Sequence, residues 1–122
     1  MVGIFINDRG IKFTTLIMNG LKTVETRRSD TLGKYVGQRV GIVRTGRGPA
    51  TLVGYATLSP MRTIVTDKET FDKLFPLHRV PSAGPYAFKD KKVLYHLHNI
   101  KPCTPTPIPA DAVRHGRIAV EL

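Results

Sequence analysis

Hydrophobic positions along this chain recur mostly with period two, and glycine and proline interrupt them at short intervals. Met1–Ile6 reads as a first strand, closed by the turn residues Asp8-Arg9-Gly10. Phe13, Leu16 and Ile17 fall at i, i+3 and i+4, which predicts a short helix over 13–19 with Asn19-Gly20 as its stop. Leu21–Arg28 leans to strand through Thr23, Val24 and Thr26, and Gly33 and Gly37 mark a loop. Arg39–Thr45 and Thr51–Leu58 form a predicted hairpin around Gly46-Arg47-Gly48-Pro49.

Further on, Thr66-Asp67-Lys68-Glu69 has the form of a capping box with the Thr66 hydroxyl as the cap. Phe71, Leu74 and Phe75 supply the buried stripe of that helix, and Pro76 is its expected end. A loop over 77–85 leads to a strand at Val93–Ile100. Pro102, Pro105, Pro107 and Pro109 impose an extended segment, and Gly116–Leu122 reads as a closing strand. Five or six short strands with two short helices predict a mainly β, α+β fold: a small β-barrel whose openings the helices cover. No repeat or linker divides the chain, so one domain over 1–122 is expected.

Composition adds a partner class. The chain has 122 residues, and 19 Lys and Arg stand against 9 Asp and Glu, a formal charge of +10. Such a surface attracts polyanions, nucleic acid first among them. The charge is not gathered in a tail; its densest stretch is Lys22 to Arg47, with seven basic residues against Glu25 and Asp30. A single cysteine, Cys103, excludes an internal disulfide framework and a four-cysteine zinc site, and no metal or cofactor is expected. The longest apolar run is Met1–Ile6, far below the ~20 residues that span a bilayer. With no signal-peptide pattern either, a cytoplasmic protein without membrane contact is expected. Nothing in the sequence indicates an oligomeric state.

The chemistry concentrates in Gly20-Leu21-Lys22-Thr23-Val24-Glu25-Thr26-Arg27. Strand alternation puts Glu25 and Arg27 on one face, and a bend just after Gly20 brings Lys22 round to join them. The three then form a cation–carboxylate–cation cluster whose surplus charge suits a phosphate or a polar base edge. The same spacing also describes a plain ion pair that ties the strand to its loop. Arg44 and Arg47 near the hairpin tip are candidates for contacts to a nucleic-acid backbone, and Tyr35, Tyr55 and Tyr86 for stacking on unpaired bases. Phe88 and the Thr23 and Thr26 hydroxyls are accessory candidates. His96 and His98 alternate on one strand face about 7 Å apart. Those two, together with His78 and His115, are the residues from which an acid–base pair for RNA cleavage would have to be drawn. Cys103, between prolines, carries no motif of a nucleophile.

Gly20-x-Lys22-x-x-Glu25-x-Arg27 resembles the G-x-K-x-x-E-x-R signature of the ASCH (activating signal cointegrator homology) domains. The flanks are similar as well: a short helix before it, a glycine-marked loop after it, and the strands at 37–43 and 52–58. The resemblance runs from residue 1 to about residue 100. It implies a PUA-like barrel and a cleft, between the first helix and the barrel, that binds single-stranded RNA or a nucleobase-containing small molecule. One branch of the family resembles amidohydrolases acting on modified cytidine, where the signature lysine works with a threonine and a glutamate. Glu25 stands where that threonine is found, and a carboxylate does not replace an activated hydroxyl. Ribonuclease activity is also attributed to some members. Lys22 and Glu25 are thus the catalytic candidates. Gly20, Lys22, Thr23, Glu25, Arg27, Arg44, Arg47 and Tyr86 are the binding candidates.

Overall fold

A computed structural model describes all 122 residues. Seven strands form one sheet: β1 (Val2–Asn7), β2 (Val24–Arg27), β3 (Arg39–Thr45), β4 (Thr51–Val65), β5 (Lys92–Pro107), β6 (Arg114–His115) and β7 (Ala119–Glu121). Three short helices accompany them: α1 (Phe13–Met18), α2 (Lys68–Lys73) and α3 (Phe75–His78). The strand order is β2-β5-β4-β3-β1-β7-β6. Only β1 and β3 run parallel; every other pair is antiparallel. The α+β class stands, but the expected barrel does not close, because no ladder joins β2 to β6.

Alternation builds the core. Ile4 and Ile6 of β1 enter the main hydrophobic cluster with Ile17, Ile42, Leu58 and Leu94, while Phe5 between them packs with Val43 and Val120. Both faces of β1 are therefore buried, one in each cluster. β4 and β5 are far longer than the predicted 51–58 and 93–100, at 15 and 16 residues. Three breaks of register let these two strands bend while still pairing. The prolines at 102, 105 and 107 lie inside β5 rather than in a free extended segment. They are tolerated because β2 pairs with β5 only as far as His96, leaving that edge open beyond it.

Two expectations for the helices need correction. The cap of α2 is Asp67, one residue after Thr66; its carboxylate accepts from the Thr70 N–H at 2.8 Å, Glu69 falls at N2, and the expected box does not form. Pro76 does not end the helix. It sits in the first turn of α3, where its missing N–H costs nothing. Helix α1, by contrast, is held from a distance. Its own cap position, Lys12, gives no side-chain bond, and buried Asp8 accepts from both the N–H and the hydroxyl of Thr14.

The end of α1 sets up the signature segment. Gly20 has φ +74°, Gly20 N–H bonds to Ile17 O at 3.0 Å, and Leu21 N–H bonds to Leu16 O at 2.9 Å. This is a Schellman stop, and it supplies the bend that Lys22 requires. Strand β2 accordingly begins at Val24, not at Leu21. An added Cβ at Gly20 would meet open space, so only the backbone resists it. Gly20→Ala should cost about 1 kcal/mol through the left-handed φ, read as a fall of a few degrees in Tm, with the sheet's circular dichroism unchanged.

Candidate nucleic-acid cleft

The signature side chains meet where the sheet fails to close. Glu25 is buried and ion-paired with both neighbours: Lys22 Nζ lies 3.5 Å from Oε1 and Arg27 Nη2 lies 3.0 Å from Oε2. Lys22 comes from the turn after α1, and its side chain is only 1% exposed. Its ammonium also donates to the His78 carbonyl at 2.5 Å and sits 4.8 Å from the centre of the Phe13 ring. Burial pushes the Lys22 pKa below its ordinary value of 10.5, against the pull of Glu25 and with some help from Arg27.

Arg27 does the spanning. The β1–β7 ladder ends at Ile4–Ala119, after which Phe5 N–H reaches Ile118 O at 2.9 Å. Arg27 Nη2 donates to the Phe5 carbonyl at 2.7 Å. One guanidinium thus links β2, at one end of the strand order, to β1 near the other. Its Nε is shielded from solvent and has no partner within the chain.

Beside this link opens a cleft of about 560 Å³. Its walls come from Glu25–Arg28, from Phe5–Asn7, from Phe13, from Pro85-Tyr86 and Lys92, and from Arg114, Gly116 and Arg117 of the β6–β7 turn. Five cations and a single carboxylate line it, together with Phe5, Phe13 and Tyr86. Phe13 and Tyr86 meet edge to face at 5.8 Å. Lys92 donates to the Tyr86 carbonyl at 2.8 Å and so fixes the loop that carries that ring. Burial lowers the Lys92 pKa, and Arg28 adds to the effect.

Of the predicted site residues, Glu25, Arg27, Thr26 and Tyr86 line this cleft. Lys22 does not; its side chain is 1% exposed and packs against the Phe13 ring and Glu25, which do. Gly20 shapes the turn. Thr23 is engaged through its backbone, with its N–H on Leu77 O and its carbonyl on Leu97 N–H. Arg44 lines a separate, shallow depression with Thr14, Met18 and Asn19. Arg47 is tied to the turn after β1, its Nε donating to Asp8 O at 2.8 Å. Neither joins the cleft, because the hairpin tip folds toward the β1–α1 turn. Tyr35 is core, Tyr55 is half-buried in β4, and Phe88 packs on Phe71.

Among the histidines, His96 bonds Thr63 Oγ1 at 3.2 Å, His98 is exposed, and His115 pairs with Glu121 at 2.7 Å. No metal-holding cluster of His, Cys, Asp or Glu forms. His78 is fully buried, stacked on Phe71 at 4.0 Å, with Nε2 donating to Phe71 O and Nδ1 accepting from Val80 N–H. The residues the sequence did not flag are Arg28, Lys92, Arg114 and Arg117. They belong to no local motif, and only the folding of the sheet brings them to one cavity.

The chain has the fold of solved ASCH structures. It superposes on ASCH from Zymomonas mobilis with a TM-score of 0.69 at 20% identity, over 87% of this chain and 73% of that one. A tyrosine-to-phenylalanine mutant of that protein gives 0.66 over 87% and 76%, and a serine-to-alanine mutant gives 0.65 over 86% and 73%, each at 20% identity. No family model matches the chain, and no curated protein matches it. No helix is long and apolar enough to cross a membrane.

Two measurements probe the buried cluster. Glu25→Gln leaves the Lys22 charge without its counter-ion and should cost about 3 kcal/mol in urea unfolding. Adding Lys22→Met should return much of that loss, giving a large coupling energy in the double-mutant cycle. His78 titrates below its ordinary value of 6.5 because burial disfavours the charged ring. The unfolded chain therefore takes up that proton first. Stability is fully present above about pH 6.5 and is lost as pH falls toward the folded value. His78→Gln should flatten the rise of Tm with pH across that window.

Proposed function

We propose that the cleft binds single-stranded RNA or a small molecule carrying a nucleobase. The observation that carries this reading is the lining itself: five cations, one carboxylate and three aromatic rings around about 560 Å³. That volume is in the range of small-molecule sites, roughly 300–1,000 Å³. Aromatic faces accept any base, and cations meet the phosphates that accompany one. Glu25 and Arg27 supply the selective element. The carboxylate accepts from an exocyclic amine, and the exposed part of the Arg27 guanidinium donates to the neighbouring ring nitrogen or carbonyl. The ASCH fold agrees with this reading.

Lys22 acts here as a support. It fixes Glu25 from behind and contributes positive potential without touching the ligand. An enzyme acting on RNA or on modified nucleosides through Lys22 draws little support from this geometry, since the ammonium is buried against Phe13, Glu25 and the His78 carbonyl.

Binding of a short single-stranded oligonucleotide, followed by fluorescence anisotropy at fixed salt, tests the reading. Tyr86→Ala should weaken binding by about 1–3 kcal/mol through lost stacking. Arg44→Ala, outside the cleft, should change it by less than about twofold. Equal losses for the two variants would mean that the basic surface binds RNA diffusely and that the cleft has no part in it.

A further inference from the structure

The cations of the cleft are not equivalent. Arg27 is committed to Glu25 and to the Phe5 carbonyl, and Lys92 to the Tyr86 carbonyl. Arg28, Arg114 and Arg117 form no ion pair and no side-chain hydrogen bond, although all three line the same cavity. They come from opposite ends of the strand order: Arg28 follows β2, while Arg114 and Arg117 belong to the β6–β7 hairpin. The only carboxylate of the lining, Glu25, is already shared between two cations. Like charges drawn together without compensation repel, so this arrangement favours an anion that neutralises them.

The hairpin also orients its charge. The Arg114 guanidinium lies 5.4 Å from the centre of the Phe5 ring. Stacked in that way, a guanidinium keeps its edge N–H groups free to meet a tetrahedral oxyanion. Phe5 thus serves the cleft twice, with its ring under Arg114 and its carbonyl on Arg27.

We infer that Arg28, Arg114 and Arg117 form a phosphate site at the mouth of the cleft, and that the ligand is a phosphate ester of a nucleoside rather than a free nucleoside. This rests on the reading of the cleft as a nucleobase site. The base end lies against the Phe13–Tyr86 pair, whose rings carry no guanidinium, and the phosphate end faces the arginines that no internal acid compensates. A terminal phosphate of a free nucleotide and an internucleotide phosphate of RNA share this chemistry.

Calorimetric titration with four ligands separates the possibilities: a nucleoside, its 5′-monophosphate, a trinucleotide without terminal phosphate, and inorganic phosphate. The wild-type chain is compared with Arg114→Ala/Arg117→Ala. Both positions are exposed and lie in a short hairpin, and an unchanged Tm verifies that the variant folds. The monophosphate should bind at least tenfold tighter than the nucleoside. The double variant should lose at least tenfold for phosphorylated ligands while the nucleoside changes less than twofold. A trinucleotide that binds as tightly as the monophosphate identifies the internucleotide phosphate as sufficient; a trinucleotide tenfold weaker identifies the terminal one. Equal binding of nucleoside and monophosphate overturns the phosphate site but leaves the base reading intact. Inorganic phosphate binding as tightly as the nucleotide, with Tyr86→Ala silent, overturns the base reading and leaves the phosphate site. Absence of binding by all four overturns both.

Discussion

Glu25 is the point on which this structure turns. A buried carboxylate is costly unless it is paired, and here two cations pair it from opposite sides. Lys22 reaches it from the turn after α1, and Arg27 from the same strand. The assembly carries a surplus positive charge, and that charge is held in place by three main-chain and side-chain partners rather than by solvent. Arg27 then extends the cluster to the Phe5 carbonyl, the first acceptor left unpaired where the β1–β7 ladder ends. A buried ion pair adds little net stability compared with well-packed apolar residues. Its value here is positional. It fixes the distance between two strands that share no ladder.

That link explains the shape of the fold at its functional end. A sheet closed by ladder hydrogen bonds would have paired β2 with β6, the two ends of the strand order. In this chain one guanidinium replaces the missing ladder, and the remaining gap becomes the cleft. Phe13, at the first position of α1, forms a wall on one side, and the β6–β7 turn forms another. The helix is short, six residues, and its start is secured by Asp8 instead of a local cap. The same Asp8 offers its carbonyl to Arg47, so the hairpin tip and the helix start are held by one residue. This is why Arg47 is occupied in structure and not available to the cleft.

Local rules made much of this legible. The boundaries of β3, the stop at Asn19-Gly20 and the Glu25–Arg27 pair follow from period, αL-tolerant residues and strand alternation. The errors have physical causes. Thr66 and Asp67 are both competent caps, and spacing cannot choose between neighbours one residue apart. A proline such as Pro76 predicts a helix end, yet the first turn of a helix tolerates it equally. Pro102, Pro105 and Pro107 predict an extended segment outside the strand, but a strand with one free edge takes them in. Lys22 looked like a ligand contact because its spacing from Glu25 was right. Its burial depends on Phe13 and on the carbonyl of His78, 56 residues away, and no local pattern contains that.

Charge shows the limit most sharply. Along the chain, basic residues are densest between Lys22 and Arg47, but of those seven only Arg27 and Arg28 line the cleft. Lys22 is neutralised from within, Arg47 is bound to main-chain carbonyls, and Arg44 faces a different depression. The cleft draws its remaining cations from positions 92, 114 and 117, which arrive through the curl of the sheet. At physiological salt, charges act over about 8 Å, a distance set in space and not along the sequence. A net charge therefore names a class of partner, while the topology decides where that partner meets it. In this fold the cations gather at the gap between the sheet's two ends, and the Glu25–Arg27 pair that ties β2 to the Phe5 carbonyl also lines it.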